Sequence, residues 1–409
     1  MRSEADVVVI GAGALGASTA FHLAQRGTKP LVVDKHGLVT QTTPRAAGMA
    51  LSVQVDDDLS RVSLRSIDKI VRFEEETSEP LEYHQAGSIK AARTDRDASQ
   101  VLGEVERGKA LGVEIALIDA GEAHRLAPFF DPSTAIEMWF CPNDLYLDPP
   151  DLPRAYLRAA ERGGAELAPE TEVTGISRDD DGVFRVATSR GDVATPVVVL
   201  SAGAWTRGLA QLAGTDVAVW PIRHMLWITE RLPMVSADQP TVRVIDAKTY
   251  VRPCSGGLMF GGYEPDPLQL DVREAADEFS IDDLPLDREP LMRKLREIER
   301  EFPALASAAV REFRGGLPVM TPDCRFLVDE SEDVPGLYFA TGDNVGGLST
   351  SPALGEALAE MIVSGVKPEL IQPFGAARFA GYIGDDERLR RACRAAYTDK
   401  YSEEEVALH

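Results

Sequence analysis

A short glycine-rich sequence, GAGALG at positions 11–16, constrains the fold of this chain more than any other stretch. The residues before it, 6–10, are rich in valine and isoleucine, which is typical of a buried parallel strand, and the apolar residues of 14–25 suit a helix. Gly11 permits a tight turn, Gly13 lets the backbone approach a pyrophosphate, and Gly16 lets helix and strand pack closely. The stretch therefore predicts a strand, a turn and a helix that bind a dinucleotide.

A second strand is predicted at 31–33 and ends at Asp34, where a carboxylate accepts hydrogen bonds from a ribose. The glycine pattern alone is a weak signal, but strand, glycines, helix, strand and acid follow one another in the order that such a unit requires. An acid at this position argues against a 2′-phosphate on the ligand. It leaves NAD and FAD as alternatives.

A late glycine-rich sequence repeats the strand-to-helix arrangement. A strand predicted at 336–340 runs into TGDNVGGLS at 341–349, and a helix is predicted over 352–364. Near the first unit, TTPRAAGM at 42–49 is too rich in Thr, Pro and Gly for an ordinary helix, and it either continues the phosphate site or is a surface connection. The two glycine-rich junctions predict that a cofactor longer than one mononucleotide is held at both ends.

Charge and cysteine content exclude several classes of partner. The net charge is −23, and the 43 Lys and Arg form no obvious cluster, so neither nucleic acid nor an anionic membrane is expected as a partner. No signal peptide is visible and no apolar run approaches the ~20 residues of a membrane span, so a cytoplasmic location is expected. The cysteines are far apart, which predicts reduced thiols, no disulfide framework and no metal site; they are Cys141, Cys254, Cys324 and Cys393.

The second half of the chain contains several strand candidates separated by Pro, Gly and polar turns. They lie at 225–229, 241–245, 249–252 and 258–262, and this spacing favours an antiparallel sheet. The charged residues that follow 385 predict a helical or frayed tail.

Several short motifs together resemble one family of flavoproteins. They are GAGALG with Asp34, TTPRAAGM, the helix start at Asp148 and Pro149, SAGAW at 201–205, FGGY at 260–263, MTPD at 320–323 and ATGD at 340–343. With them the chain resembles, over nearly its whole length, the FAD-dependent D-amino-acid oxidase superfamily, in the branch of sarcosine oxidases and dimethylglycine oxidases and dehydrogenases. The resemblance implies that the cofactor is FAD.

The resemblance also implies the fold class, which is α/β. A Rossmann-type FAD-binding domain, similar to glutathione reductase and of the D-amino-acid oxidase type, is expected from three separated segments, 1–80, 145–220 and 315–385. An α+β substrate-binding domain, with a mostly antiparallel sheet that covers the flavin, is expected from 81–144 and 221–314. Residues 386–409 are expected to form a C-terminal tail.

The predicted cofactor-binding residues fall on these motifs. By resemblance, the ADP and pyrophosphate half is contacted by Ala14, Leu15, Asp34, Lys35, Thr42, Thr43, Arg45 and Val173, and the flavin lies by Gly346, Gly347, Leu348 and Ser349. The set is completed by Gly11, Gly13, Gly16, Ala47, Gly48, Met49, Ala202, Gly203, Trp205 and Gly342.

Two departures from the family concern how the flavin is held. Dimethylglycine enzymes carry a His that bonds covalently to the flavin where this chain has Arg45, and monomeric sarcosine oxidases use a Cys at the position aligned with Gly316. Neither nucleophile is present here. The sequence therefore predicts non-covalent FAD.

The substrate side of the site is predicted from a His and a Tyr that line the pocket in the dimethylglycine branch. They match His224 and Tyr250, which are predicted to be catalytic; a structural role is the alternative for each. Tyr250 and Arg252 are two residues apart on a predicted strand and share a face, and an arginine binds a carboxylate bidentately. Arg252 is therefore predicted to bind substrate, with a surface or salt-bridge role as the alternative.

Four more positions bear on the substrate class. Pro318 stands where D-amino-acid oxidases have a carboxylate-binding Arg, which weakens the case for a D-amino acid. Glu264 and Ser349 stand where monomeric sarcosine oxidases have an active-site His and a carboxylate-binding Lys, so sarcosine itself is not assured. Met259 stands in place of their oxygen-activating Lys, which leans mildly toward a dehydrogenase.

The resulting hypothesis is FAD-dependent oxidation of a secondary or tertiary amine. An N-methyl or N-alkyl amino acid resembling sarcosine or dimethylglycine would be converted to an imine, which hydrolyses to an amine and an aldehyde. One alternative is a D-amino-acid or cyclic imino-acid oxidase or dehydrogenase, and another is a flavin-binding subunit that is active only within a complex. The expected partners are the small-molecule substrate and O₂ or another electron acceptor; the oligomeric state is left open.

Overall fold

A computed structural model describes residues 1–400, and its first strand, Val7–Ile10, lies inside a six-stranded sheet. The strands follow one another across the sheet as Leu327–Glu330, Leu337–Thr341, Val198–Leu200, Val7–Ile10, Pro30–Val33 and Glu166–Ala168. All of them run parallel except Leu327–Glu330, which is antiparallel to its neighbour. The central strands are buried over their full length, as expected for a parallel sheet covered by helices.

Helices pack on this sheet around the predicted one at the glycine turn. Ala14–Gln25 has the predicted bounds and packs against Gly347–Ser364 and Asp151–Arg162. All of its residues except Gln25 are buried, because helices and sheet surround it.

Two glycines at the first turn are required by their surroundings. Gly11 has a φ of +104°, which side-chain-bearing residues rarely adopt. A Cβ atom on Gly16 would lie 1.9 Å from the carbonyl oxygen of Gly11. Only glycine lets the helix begin this close to the end of the strand.

A second sheet of eight strands is formed mainly by the middle of the chain. Its order is Val310–Gly316, His224–Thr229, Gly257–Gly262, Thr249–Cys254, Thr241–Val244, Ser88–Ala92, Glu137–Cys141 and Ala116–Leu117. Neighbouring strands are antiparallel except Thr241–Val244 and Ser88–Ala92, which are parallel. The mostly antiparallel sheet predicted from the sequence is therefore present. The segment boundaries of the two domains stay a prediction.

One row of residues crosses the eight-stranded sheet on a single face. Lys90 is in register with Arg243 and Arg243 with Tyr250. Tyr250 is in turn opposite Gly261 on the next strand. Side chains directly opposite on neighbouring strands lie on the same face, so this row brings two cations next to the predicted catalytic tyrosine.

The remaining elements connect and cover the two sheets. The other helices are Asp57–Val71, Phe73–Thr77, Asp95–Ala110, Ala120–Leu126, Thr206–Leu212, Arg288–Ile298, Pro303–Ser307 and Asp386–Thr398. The smaller sheets contain the strands Val173–Arg178, Phe184–Thr188, Val193–Thr195, Met49–Ala50, Leu145–Leu147, Tyr83–His84, Trp220–Pro221 and Val319–Met320. None of the helices in residues 1–400 is long and apolar enough to cross a bilayer.

One predicted helix begins earlier than expected, and the predicted tail is partly described. The late helix begins at Gly347 rather than at Pro352. Pro352 has no N–H to donate to the Leu348 carbonyl, and the hydroxyl of Ser351 donates to that carbonyl instead, at 2.9 Å. The predicted tail contains the ordered helix Asp386–Thr398, while residues 401–409 lie outside the described part of the chain.

Candidate active site

A cavity of about 670 Å³ connects the two glycine-rich junctions. The predicted cofactor-binding residues that line it are Gly11, Gly13, Ala14, Leu15, Asp34, Lys35, Thr42, Thr43, Arg45, Ala47, Val173, Ala202, Gly203, Trp205, Gly347 and Leu348. Residues that are distant in sequence are therefore brought to one elongated space. Its size matches the roughly 300–1,000 Å³ of typical small-molecule and cofactor sites.

Six predicted cofactor-binding residues do not line this cavity. Gly16 packs helix against strand, as described above. Gly48 and Gly342 have positive φ values of +72° and +65° and shape the backbone beside the cavity walls. The other three, Met49, Gly346 and Ser349, line a smaller second cavity instead.

Asp34 is fixed by backbone amides at the end of its strand. The two carboxylate oxygens accept hydrogen bonds from the amides of Ala12 at 2.7 Å and His36 at 2.8 Å. Burial raises the pKa of Asp34, and the two amide hydrogen bonds oppose that shift. Each oxygen has a second lone pair, so the carboxylate can still accept from a ribose hydroxyl.

The chemistry of the cavity wall fits FAD. The buried Nε2 atom of His36 and Oγ1 atom of Thr341 have no hydrogen-bond partner within the described chain, and both residues line the cavity. Two helices begin there, at Ala14 and Gly347, and neither has a side-chain cap or an acidic residue in its first turn. Uncapped helix N-termini favour negatively charged groups, so the pyrophosphate suits the first helix and the electron-poor flavin ring, with its carbonyl oxygens, suits the second.

The cavity wall offers no nucleophile for a covalent flavin bond at the two positions used by relatives. Arg45 donates to the carbonyl oxygens of Thr40 and Gln41 and forms an ion pair with Asp282. Gly316 lines the cavity opposite His224 in the sheet register. No cysteine is among the described residues that line the cavity.

His224 reaches the large cavity from the eight-stranded sheet and is held between two tyrosines. Its Nε2 atom is 2.9 Å from the hydroxyl of Tyr250, and its Nδ1 atom is 2.8 Å from the hydroxyl of Tyr397. All three side chains are buried. The structure therefore brings together the two predicted catalytic residues and adds a third group from the C-terminal helix.

The protonation state of His224 follows from its burial. Desolvation lowers the pKa of His224 to about 4, so the imidazole is neutral at physiological pH. A neutral imidazole has one N–H donor and one acceptor nitrogen, so it donates to one tyrosine hydroxyl and accepts from the other. This arrangement fixes the orientation of the Tyr250 hydroxyl without placing a positive charge beside it.

Arg252 has partners other than a carboxylate. Its Nε atom donates to the Ala47 carbonyl at 2.6 Å, its Nη1 atom donates to the Pro253 carbonyl at 2.7 Å, and the guanidinium lies over the ring of Tyr146. It lines neither of the two cavities described here. These contacts hold the 47–48 backbone against the sheet, and the predicted substrate contact of Arg252 stays a prediction.

The smaller cavity, of about 120 Å³, lies beside the large one and shares Asp343 and Val345 with it. The charged residues Lys90, Glu104 and Arg243 line it from the eight-stranded sheet and the helix Asp95–Ala110. Sequence reasoning missed these residues and Tyr397. A sequence pattern existed for two of them. Arg243 lies between Val242 and Val244 in a strand, and Leu389, Cys393 and Tyr397 recur at a helical spacing of four.

Three other positions that bear on the substrate class are also located. Glu264 is buried and pairs with Arg223 at 3.5 Å, and burial raises the pKa of Glu264. Pro318 lines the large cavity. Met259 is fully buried in the sheet and lines neither cavity.

Comparison with known proteins also indicates an FAD-dependent oxidoreductase. A family model described as FAD dependent oxidoreductase (DAO) matches residues 6–361. The chain is similar to human mitochondrial sarcosine dehydrogenase, with 29% identity over 412 aligned positions, covering 98% of this chain and 44% of the relative. It is also similar to 4-methylaminobutanoate oxidase (formaldehyde-forming) of Paenarthrobacter nicotinovorans, with 27% identity over 95% of this chain and 47% of the relative.

Among solved structures, L-proline dehydrogenase from P. horikoshii superposes with a TM-score of 0.84 and 25% identity, over 93% of this chain and 98% of that one. The chain belongs to the FAD dependent oxidoreductase family. The predicted family, fold class, FAD cofactor and oxidoreductase class are thereby confirmed. The chain spans a little less than half the length of the two curated relatives above.

Proposed function

We propose that this chain oxidises the C–N bond of a small secondary or tertiary amine, an N-alkyl amino acid, to an imine. The observation that carries the proposal is the hydrogen-bonded pair of His224 and Tyr250, in which His224 lines the large cavity and Tyr250 bonds to it from another strand of the same sheet. FAD supplies the acceptor for the two electrons and the hydrogen that leave the carbon atom. Water then hydrolyses the imine to an amine and an aldehyde.

The residues of this chain bind and orient the amine, and they do not accept its electrons. The neutral imidazole of His224 leaves the site free of a positive charge that would oppose the cationic imine product. The hydroxyl of Tyr250, oriented by His224, hydrogen-bonds the substrate nitrogen and fixes the C–H bond relative to the cofactor. Tyr397 acts through His224, as a positioning residue, because it holds the other ring nitrogen.

The test is an anaerobic panel of amines mixed with the purified flavoprotein. N-methylglycine, N,N-dimethylglycine and 4-methylaminobutanoate are expected to bleach the flavin absorbance, and equimolar formaldehyde is expected from an N-methyl substrate. Failure of all N-alkyl amino acids to bleach the flavin would contradict the proposal. Admission of air afterwards reports whether O₂ or another acceptor reoxidises the flavin.

A second candidate is oxidation of a cyclic imino acid. It is supported by the structural similarity to an enzyme named L-proline dehydrogenase. Proline and D-amino acids therefore belong in the same panel. Bleaching by proline alone would favour this candidate, and bleaching by any amine would exclude a flavin-binding subunit that is active only within a complex.

We further propose that FAD is bound without a covalent link, since Arg45 and Gly316 occupy the positions of the two flavin-bonding side chains in relatives. Acid precipitation should release all flavin into the supernatant. Flavin retained in the protein pellet would contradict this.

A further inference from the structure

The smaller cavity lies between the eight-stranded sheet and the start of the helix Gly347–Ser364. Lys90 and Arg243 line it from the sheet, and Gly346 and Ser349 line it from the helix start. Tyr263 lines it as well, and the ring of Tyr263 is 5.0 Å from that of His224. The cavity is therefore next to the proposed catalytic residues as well as to the large cavity.

Three cations and three carboxylates line this cavity; they are Lys90, Arg243 and Lys400, and Glu104, Asp323 and Asp343. The Glu104 carboxylate accepts hydrogen bonds from Lys90, from Gln100 at 3.0 Å and from Trp139 at 2.8 Å, and Lys90 lowers the pKa of Glu104 against the effect of burial. One carboxylate is thus shared by the Lys90 ammonium and the nearby Arg243 guanidinium. Lys400 adds a third cation to the cavity lining. Asp323 accepts a hydrogen bond from Arg378 at 2.8 Å, and Asp343 accepts from the amides of Val319 and Val345, so these two carboxylates have partners other than Arg243.

One edge of the Arg243 guanidinium, formed by Nε and Nη2, has no hydrogen-bond partner within the described chain. The residue surface of Arg243 is 4% exposed, and these two nitrogen atoms are buried. Buried donors of a charged group are costly when unpaired, so such atoms are normally satisfied by a ligand or by water. Among the arginines in residues 1–400, Arg243 is the one in which both of these nitrogens are buried and unpartnered.

The same two nitrogens bind carboxylates elsewhere in this protein. Arg207 uses Nε and Nη2 to hold Asp216 at 2.7 and 2.8 Å. Arg65 uses them to hold Glu356, with both distances 2.9 Å. This edge of a guanidinium presents two parallel N–H bonds that match the two oxygens of a carboxylate. The Nε and Nη2 donors of Arg243 could therefore bind a carboxylate in the same way.

We infer that Arg243 binds the carboxylate of the substrate in the smaller cavity, with Lys90 held beside it by Glu104. The inference rests on the proposed function and assigns the residue that binds the carboxylate of the amino acid. Arg243 is directly opposite Tyr250 on the neighbouring strand, and Tyr263, which lines the smaller cavity, has its ring 5.0 Å from that of His224. A carboxylate on Arg243 would therefore place the rest of a small molecule beside the pair of His224 and Tyr250. The space of about 120 Å³ is smaller than the roughly 300–1,000 Å³ of typical ligand sites, so it suits the carboxylate end of a small molecule and not a peptide.

The inference is tested with acetate, an inert carboxylate, titrated into the flavoprotein and followed by calorimetry. Wild-type protein is expected to bind acetate, and the variant Arg243→Met is expected to weaken that binding at least tenfold. Arg243→Lys keeps the charge but has no bidentate edge, so at least a threefold weakening is expected. Arg185→Met, at an exposed arginine in the strand Phe184–Thr188, is the control and should bind acetate as the wild type does.

Substrate selectivity is the second readout. N-methylglycine should reduce the wild-type flavin at far lower concentration than its uncharged amide, and Arg243→Met should remove most of that preference by raising the substrate dissociation constant at least tenfold. Unchanged acetate affinity and unchanged selectivity in folded, FAD-containing Arg243→Met or Arg243→Lys would overturn the inference. If no amine reduces the wild type but acetate still binds in an Arg243-dependent way, the proposed function fails and the carboxylate site stands.

Discussion

The substitution Gly261→Ala tests whether the position of the Tyr250 hydroxyl matters for the reaction. A Cβ atom on Gly261 would lie 2.2 Å from the Tyr250 hydroxyl oxygen and 2.3 Å from its Cζ atom. Ordinary contact begins at 3.4 Å, so the phenol must retreat by about 1.2 Å. A misplacement of about 1 Å at a reacting group costs about 100-fold in rate, and overpacking costs about 1–3 kcal/mol of stability.

The assay is the rate constant of anaerobic flavin reduction, measured by stopped flow at saturating substrate. Gly261→Ala is expected to lower it about 100-fold with the flavin content retained. Gly175→Ala is the matched control, because a Cβ atom there meets only the Cβ atom of Ala187, at 3.6 Å. It should leave the rate unchanged and the stability within about 0.5 kcal/mol.

A double variant separates displacement of the hydroxyl from a general disturbance of the sheet. If Gly261→Ala acts by moving the Tyr250 hydroxyl, it should slow the reaction much less when Tyr250→Phe is already present, because interacting residues are not additive. A wild-type rate in flavin-replete Gly261→Ala, or full additivity with Tyr250→Phe, would refute the reasoning.

Three further predictions concern buried polar groups. Tyr397→Phe leaves the buried Nδ1 of His224 without its partner and should lower the free energy of unfolding by about 1–3 kcal/mol in urea titration; an unchanged value would show that the bond contributes nothing. Glu104→Gln leaves Lys90 without its buried counter-charge and should cost about 3–5 kcal/mol in the same assay, whereas a loss below about 1 kcal/mol would argue against a buried pair. Burial lowers the pKa of His22 to about 3 from its usual 6.5, so the stability from neutral His22 is fully present above pH 6.5 and is lost toward pH 3, with a slope approaching ~1.4 kcal/mol per pH unit. His22→Gln should flatten the urea-derived stability profile in this window, and an unaltered profile would contradict the assignment.

The cofactor end of the site was predictable because the residues that form its first part are close together in the sequence. The strand, the glycine turn, the helix Ala14–Gln25 and Asp34 lie within one short stretch, and each residue type there has a steric or electrostatic reason. The resemblance to a known family then decided between NAD and FAD, which the residues alone had left open.

The substrate end was less predictable because its residues meet only through distant strand pairing. Lys90 and Arg243 become neighbours through a parallel pairing between strands 153 positions apart, which no local pattern specifies. Tyr397 reaches His224 from a helix 173 residues away. Tyr250 and Arg252 share a strand, as predicted, but Arg252 donates to the Ala47 carbonyl. The arginine whose Nε and Nη2 atoms have no partner within the described chain is Arg243.

The central claim is that the pair of His224 and Tyr250 serves the oxidation of an amine by bound FAD. The most direct measurement is the rate constant of anaerobic flavin reduction by the best amine of the panel, compared between wild type, Tyr250→Phe and a control. The control is Tyr338→Phe, at a buried tyrosine in the strand Leu337–Thr341 of the six-stranded sheet, which does not contain His224. We expect at least a tenfold loss of rate in Tyr250→Phe, with full flavin content, and a wild-type rate in Tyr338→Phe. Equal rates in Tyr250→Phe and wild type would contradict the central claim.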